Sequence, residues 1–295
     1  MLDLNYTEPV FRPPSEWRSL ILQVTNGCSW NHCTFCEMYQ GAQKAFSFKE
    51  IEQLRTELKS ASQSGAPIQR IFLADGDALT LSTRRLIEIL DAINEYFPNI
   101  QRISSYCLPR NLINKTVEEL IELYRRGLKL VYVGCETGDN ELLRLVNKGE
   151  THQTSLSALN KLHQANIKSS VMILNGLGGT VLSEQHAKAS AELMNASQPN
   201  YVSTLVVSFP KGEQRFRANF PNYQPLSQQQ LFSELRTFIE HLDLRSTIYR
   251  SDHASNYLAL KGVLNKDKSR LLNTLTTAIE SPDSVILRPE SMRGL

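Results

Sequence analysis

The chain has 295 residues, 41% hydrophobic and 21% charged, ordinary proportions for a globular protein that can bury a core without disulfides. Its 32 Lys and Arg nearly balance 30 Asp and Glu, and five cysteines make an odd count, which argues against a secreted disulfide scaffold. No basic stripe gives evidence for a nucleic-acid partner, although the balance does not exclude RNA; no signal-peptide run or membrane-length apolar stretch is present, and a cytoplasmic protein is expected.

Residues 19–25 (SLILQVT) read as a short buried strand that runs into the loop CSWNHCTFCEMY, 28–39. A serine start signal and Ile51, Leu54 and Leu58 at helical spacing predict a helix over 47–62. RIFLAD (70–75) is a second strand, and Leu86, Ile87, Leu90 and Ile93 place 82–97 in a helix. RISSYC (102–107) is a strand, 115–127 a helix closed by a glycine, and LKLVYVGCE (128–136) a strand. Helices over 139–147 and 151–165, a strand over 168–176, a helix over 183–196 and a strand over 201–209 complete the run.

Alternation at this spacing implies right-handed crossovers and a parallel sheet. The continuous apolar strands suit a sheet covered on both faces. Six units favour a partial barrel or an open doubly wound sheet over a complete eight-unit barrel. The expected fold is therefore α/β, a partial (β/α)6 barrel of parallel strands over 19–209, after an N-terminal extension of residues 1–18. Residues 210–295 are expected to form a C-terminal extension, helical over 227–243 and 266–281 and otherwise irregular, covering the barrel opening.

Cys28, Cys33 and Cys36 make a C-x4-C-x2-C pattern. A structural zinc site closes four ligands. Its fourth would be His32, badly placed beside Cys33, or Cys107 or Cys135, which read as small buried residues on strands. A [4Fe–4S] cluster held by three thiolates instead leaves one iron open, in a loop at the carboxyl end of the sheet where α/β folds gather their chemistry. A chance or redox-active group of thiols is the remaining alternative.

TNGCSWNHCTFCEMY (25–39) resembles the cluster loop of the radical S-adenosylmethionine (radical SAM) superfamily, including the aromatic before the last cysteine, Phe35. The resemblance implies that Cys28, Cys33 and Cys36 hold a [4Fe–4S] cluster, that Phe35 packs against adenine, and that the fourth iron chelates S-adenosylmethionine. The commonest family spacing is C-x3-C-x2-C, so the path around Trp30 and Asn31 need not be the usual one.

The resemblance extends over the six-strand segment. ADGDAL (74–79) stands where the family has a glycine–glycine–glutamate-like turn, which implies cofactor contact by Asp75, Gly76 and Asp77. VYVGCETGDNELLRLVNKGET is similar to the G-x-E-S-G segment of the elongator-like and methylthiotransferase-like branch, with threonine at 137 for serine. It implies that Glu136 reaches the ribose or amino group and that Lys148 lies near the carboxylate. ILNGLGGT (173–180) resembles the G-L-P-G-E-T turn, placing Asn175 and Gly176 on the adenine side. Ser104 and Ser105 are expected to face the ribose, and Tyr106 reads as a core tyrosine.

The resemblance thus implies an enzyme that cleaves S-adenosylmethionine to a 5′-deoxyadenosyl radical and abstracts hydrogen from a substrate the sequence does not identify. Its electron would come from a donor such as flavodoxin or ferredoxin. SDHASNYLALKG (251–262) either lines the open end of the barrel or packs over it. The rival reading is a non-enzymatic iron–sulfur or zinc protein, an electron carrier or binding module, to which amino-acid-binding turns would be of no use.

Overall fold

The computed structural model describes residues 4–293. Nearly every element follows the apolar period that predicted it. β1 (Leu20–Gln23) is buried at all four positions, as a strand covered on both faces must be. β2 (Thr25–Asn26) leaves that line to pair antiparallel with β3 (Ser47–Phe48), so the predicted first strand is two. α1 (Ile51–Ser62), β4 (Arg70–Ala74), α2 (Thr83–Tyr96), β5 (Arg102–Cys107), α3 (Val117–Arg125) and β6 (Leu128–Glu136) follow. Then come α4 (Asn140–Leu145), α5 (His152–Gln164), β7 (Lys168–Asn175), α6 (Gly179–Ser197) and β8 (Tyr201–Val206). The chain continues through α7 (Gln214–Asn219), α8 (Gln228–His241), β9 (Thr247–Ser251), β10 (Leu260–Leu264) and α9 (Lys268–Glu280).

Strand order is β1-β4-β5-β6-β7-β8-β9-β10, alongside the small β2-β3 pair. β1/β4, β4/β5, β5/β6, β7/β8 and β8/β9 are parallel, and β9/β10 is antiparallel, as is the small β2/β3 pair. This is the α/β order of a partial barrel. The chain divides into two compact units. One comprises Met1–Asn31, Met38–Val133 and Asn160–Ser169, the other His32–Glu37, Gly134–Leu159 and Ser170–Leu295.

In the first unit α2 buries Leu86, Ile89, Leu90 and Ile93, each contributing about 1.5–3 kcal/mol. Ser82 accepts from the Arg85 N–H at its start. Thr116 and Glu119 form a capping box on α3, worth about 1 kcal/mol. The N-terminal segment is tied down by Glu16, whose wholly buried carboxylate accepts from Ser19, Arg102, Ser104 and Tyr132. Tyr106 packs with Tyr132 against Ile21, Phe72 and Ala74. It is the core tyrosine expected.

In the second unit Leu142, Val146, Leu174, Leu177, Leu182, Phe216, Phe220 and Tyr223 make one apolar cluster. The C-terminal extension is more regular than predicted. Residues 245–264 hold β9 and β10, and 210–227 hold α7. Each strand has five residues, with exposed alternate positions in β10, too short a run for a period-2 signal to stand out. Among the described residues no helix is long and apolar enough to cross a membrane.

Candidate metal and cofactor site

In the first unit the cysteine loop opens at Gly27, whose φ is +67°. A Cβ there would meet the Lys44 carbonyl oxygen at 2.1 Å, so only glycine fits. Cys28 follows, half-buried. Ser29 donates its N–H to Asp77 Oδ1 at 2.8 Å and its hydroxyl to Oδ2, which also accepts from Asn111 Nδ2 at 2.9 Å. Asp77, expected at the cofactor, fastens the residue after Cys28 to the turn that follows β4. A Cβ on Gly76 would lie 2.5 Å from the Gly27 oxygen and 2.8 Å from Cys28 Cα, so this glycine lets the turn press against the loop backbone.

Asp75 is wholly buried and faces Lys44 Nζ at 2.5 Å and the Tyr39 hydroxyl at 2.9 Å. Burial pushes its pKa up, against the pull of Lys44 and Tyr39. Lys44 also donates to the Thr7 carbonyl. The extra residue of the C-x4-C spacing finds a place at Asn31, which adopts φ +45°. Asparagine tolerates this region. Its Nδ2 donates to the Tyr39 carbonyl at 2.8 Å and its Oδ1 accepts from Gln40 at 3.0 Å. Ser104, mid-strand in β5, donates to Glu16 at 3.0 Å, and Ser105 donates to the Leu73 carbonyl.

In the second unit His32–Glu37 is held by backbone bonds at both ends. Thr34 N–H donates to Val146 O at 2.9 Å, Asn147 Nδ2 to His32 O at 3.3 Å, and Arg215 Nη1 to Cys36 O at 2.8 Å. Lys211 N–H donates to Glu37 at 3.0 Å. Phe35 lies against the Leu142–Tyr223 apolar cluster, with Lys148 Nζ 5.9 Å from its ring centroid.

Glu136 ends β6 in the left-handed region, φ +67°, and its Oε1 accepts from Lys148 Nζ at 3.0 Å. A Cβ on Gly134 would sit 2.3 Å from that oxygen, so this glycine makes room for the side chain to fold back. The pair is almost fully buried. Burial works against the Lys148 charge, but attraction to Glu136 and the Cys33 sulfur holds its pKa above the usual lysine value. Burial likewise pushes the Cys33 thiol up to about 11, Lys148 opposing it.

Asn175 ends β7 with Nδ2 donating to Leu231 O at 3.2 Å, while its buried Oδ1 finds no partner among the described residues. Beside it Glu234 accepts from Gly176 N–H at 2.6 Å and from Ser183 at 2.6 Å. His186 Nδ1 lies 2.7 Å from Thr137 Oγ1, and its Nε2 is 3.8 Å from Glu234. Burial raises Glu234 to about 7 and lowers His186 to about 4. A buried chain of polar groups thus joins the turn after β6 to the turn after β7.

Lys44, Asn111, Arg215, His186 and Glu234 were not anticipated from sequence. Glu234 carried a signal, as an acid amid Leu231, Phe232, Leu235 and Phe238 on the buried face of α8. Lys44 and Arg215 carried none, because they lie in segments without a period.

The donor set suits the implied group. None of the five cysteines is in a disulfide, and thiolates are the ligands of iron–sulfur clusters. Among the described residues no three His, Cys, Asp or Glu side chains are gathered as around a single ion. A cubane makes a different demand, since each thiolate binds its own iron. The unpartnered Asn175 oxygen and the buried opposite charges of Glu136 and Lys148 suit a polar, zwitterionic ligand.

Comparison with known proteins bears on the fold and the family. A provisionally named methylthiotransferase of Methanocaldococcus jannaschii is 22% identical over 178 residues, 56% of this chain and 38% of that protein. An uncharacterised protein of the same organism is 26% identical over 250 residues, 75% of this chain and 47% of its own. The chain thus spans less than half the length of these curated relatives. Among solved structures, coproporphyrinogen III oxidase of Escherichia coli, a radical SAM enzyme, aligns with TM-score 0.57 and 17% identity over 75% of this chain and 51% of that one. Methylornithine synthase aligns with TM-score 0.52 and 18% identity over 77% of this chain and 63% of that one. These likenesses show the partial-barrel fold. The radical SAM superfamily model matches residues 22–194, from β1 into α6, and on that match the chain belongs to this superfamily of enzymes, which use a [4Fe–4S] cluster and S-adenosylmethionine.

Proposed function

We propose that the protein binds a [4Fe–4S] cluster through Cys28, Cys33 and Cys36, cleaves S-adenosylmethionine reductively, and abstracts hydrogen from an organic substrate. When bound, the cluster and S-adenosylmethionine supply one-electron cleavage of the C5′–S bond to methionine and a carbon radical, the electron coming from an external donor such as flavodoxin or ferredoxin.

The observation that carries the reading is the buried Glu136–Lys148 pair in the same unit as Cys33 and Phe35. An amino-acid headgroup presents an ammonium and a carboxylate, and this pair offers each its opposite charge. Lys148 has N–H groups beyond the one it gives Glu136, and Glu136 has a second oxygen. Phe35 offers an aromatic face to adenine, and Asn175 Oδ1 an acceptor to its amino group. Cys33 loses its proton when it becomes a ligand, a step that the Lys148 charge favours. Asp75, Gly76 and Asp77 serve the site through the turn they build, with Asp77 holding Ser29 in place. Residues 19–209 are the catalytic core. Residues 1–18 buttress it through Glu16 and Ser104, and 210–295 bring Lys211 and Arg215 to the cysteine loop.

Anaerobic reconstitution with iron and sulfide is expected to load about four irons per chain. S-adenosylmethionine should then perturb the EPR signal of the reduced protein, and dithionite should release 5′-deoxyadenosine. Release by a Cys36→Ala variant, or one zinc and no iron in anaerobically purified protein, would overturn the proposal.

A further inference from the structure

The segments that follow β4 and β5, both in the first unit, line an open cleft of about 680 Å³, the size of a small-molecule site. Its wall is polar. Thr80, Ser82 and Thr83 bring hydroxyls, Asn114 an amide, and Arg110 and Lys115 two positive charges.

Lys115 is the telling residue. It is 7% exposed, and its Nζ donates to the Leu81 carbonyl at 2.8 Å. Among the described residues no ion pair to it is formed, which leaves a buried ammonium with unused N–H groups at a cavity wall. Burial lowers its pKa, and the nearby Cys107 and Glu119 offset this only in part. Arg110 stacks on the Trp30 ring, 3.8 Å from its centroid, which holds the guanidinium plane in one orientation.

The wall is built before any ligand arrives. Lys161 Nζ donates to the carbonyls of Leu112, Ile113 and Lys115 at 2.8–2.9 Å and fixes the loop that carries Lys115. Such preorganisation lowers the ordering cost of binding. Ser82 and Thr83 also begin α2, a helix of 14 residues, so its positive end borders the cleft. One acid, Glu119, is in the lining. Its carboxylate accepts from the Thr116 N–H at 2.8 Å and then from Thr83, bonds that hold its pKa below the usual range.

We infer that this cleft binds a phosphate-bearing small molecule, with Arg110 and Lys115 on the phosphate and the Thr80 and Ser82 hydroxyls completing its shell. A phosphate presents more acceptors and more charge than a carboxylate, and this wall has donors to match. The volume leaves room for an organic remainder. Ser29, which follows Cys28, lines the same cleft, so an occupant would touch the start of the cysteine loop.

The site goes beyond the proposed reaction, and its test needs neither iron nor S-adenosylmethionine. The full-length chain is titrated with inorganic pyrophosphate and with citrate, read by calorimetry and by the fluorescence of Trp30. Saturable pyrophosphate binding is expected, with citrate at least about tenfold weaker. Arg110→Gln and Lys115→Gln should each weaken pyrophosphate at least about tenfold, and Lys115→Arg less. If Lys115→Gln fails to fold, Arg110→Gln decides. Absence of saturable binding, equal affinity for citrate, or unchanged affinity in Arg110→Gln overturns the inference and leaves the cluster chemistry untouched.

Discussion

Lys148 Nζ lies 3.0 Å from Glu136 Oε1, with side chains 4% and 9% exposed, so each charge depends on the other for compensation. Removing one partner strands the other in a low dielectric, which typically costs about 3–5 kcal/mol. Lys148→Met is expected to lose that much in urea unfolding of the apo chain. The Glu136→Gln/Lys148→Met double variant should lose less than Lys148→Met alone. A double variant no more stable than Lys148→Met would show that the pair is not coupled. Both single variants should fail to release 5′-deoxyadenosine.

Asp77 joins Ser29 and Asn111 and so fixes the residue that follows Cys28. Partners of this kind behind a metal ligand are typically worth about 10–100-fold in metal affinity. Asp77→Ala should therefore shed iron to a chelator faster than the parent by about that factor, and Ser29→Ala by less. Equal rates of iron loss would remove Asp77 from this role.

His186 and Glu234 titrate in opposite senses on folding. Burial raises Glu234 from 4.5 to about 7, so the folded state binds the extra proton there. Its stabilising contribution is full below pH 4.5 and is lost as pH rises through 7. Burial lowers His186 from 6.5 to about 4, with Asp139 pulling the other way. That contribution is full above pH 6.5 and is lost as pH falls through 4. The two slopes cancel between about pH 4.5 and 6.5. Glu234→Gln should leave stability rising with pH across that window, and His186→Gln should leave it falling. Each unmasked slope approaches about 1.4 kcal/mol per pH unit in denaturation series. Parallel profiles for parent and variants would refute the assignment.

Arg288 Nη1 donates to the carbonyls of His253, Ala254 and Asn256, which gathers the loop between β9 and β10 around one cation. Arg288→Ala is expected to cost about 1.5–3 kcal/mol. It should also raise amide hydrogen exchange at 253–256 while leaving α2 protected. Unchanged exchange in that loop would count against the arrangement.

Much of the fold was legible because its strands are buried on both faces and its helices on one. Leu128–Glu136 matches the strand read from sequence end to end, and α2 lies within one residue of its predicted bounds. β9 and β10 were hidden because five residues each, with Gly262 inside β10, carry too little period. The candidate site draws the eye in sequence where chemistry dictates residue type, as at the three cysteines, and less so where a side chain's partner is distant in sequence. Acids directly after a strand, such as Asp75 and Asp77, suggest ligand contact in sequence. Lys44, 31 residues away, and Ser29, 48 away, are the partners that the structure gives them. Ser104 likewise meets Glu16 across 88 residues of chain. Local pattern carries no information about such pairings.

Asn31 gives the longer cysteine spacing a physical meaning. Its side chain grips the Tyr39 carbonyl, while the Tyr39 hydroxyl grips Asp75. Deleting Asn31 to restore the commoner spacing would therefore loosen contacts well outside the motif. The number of residues between the first two cysteines is thereby tied, through positions 39 and 75, to the turn after β4, and a shorter loop would have to find another anchor for that turn.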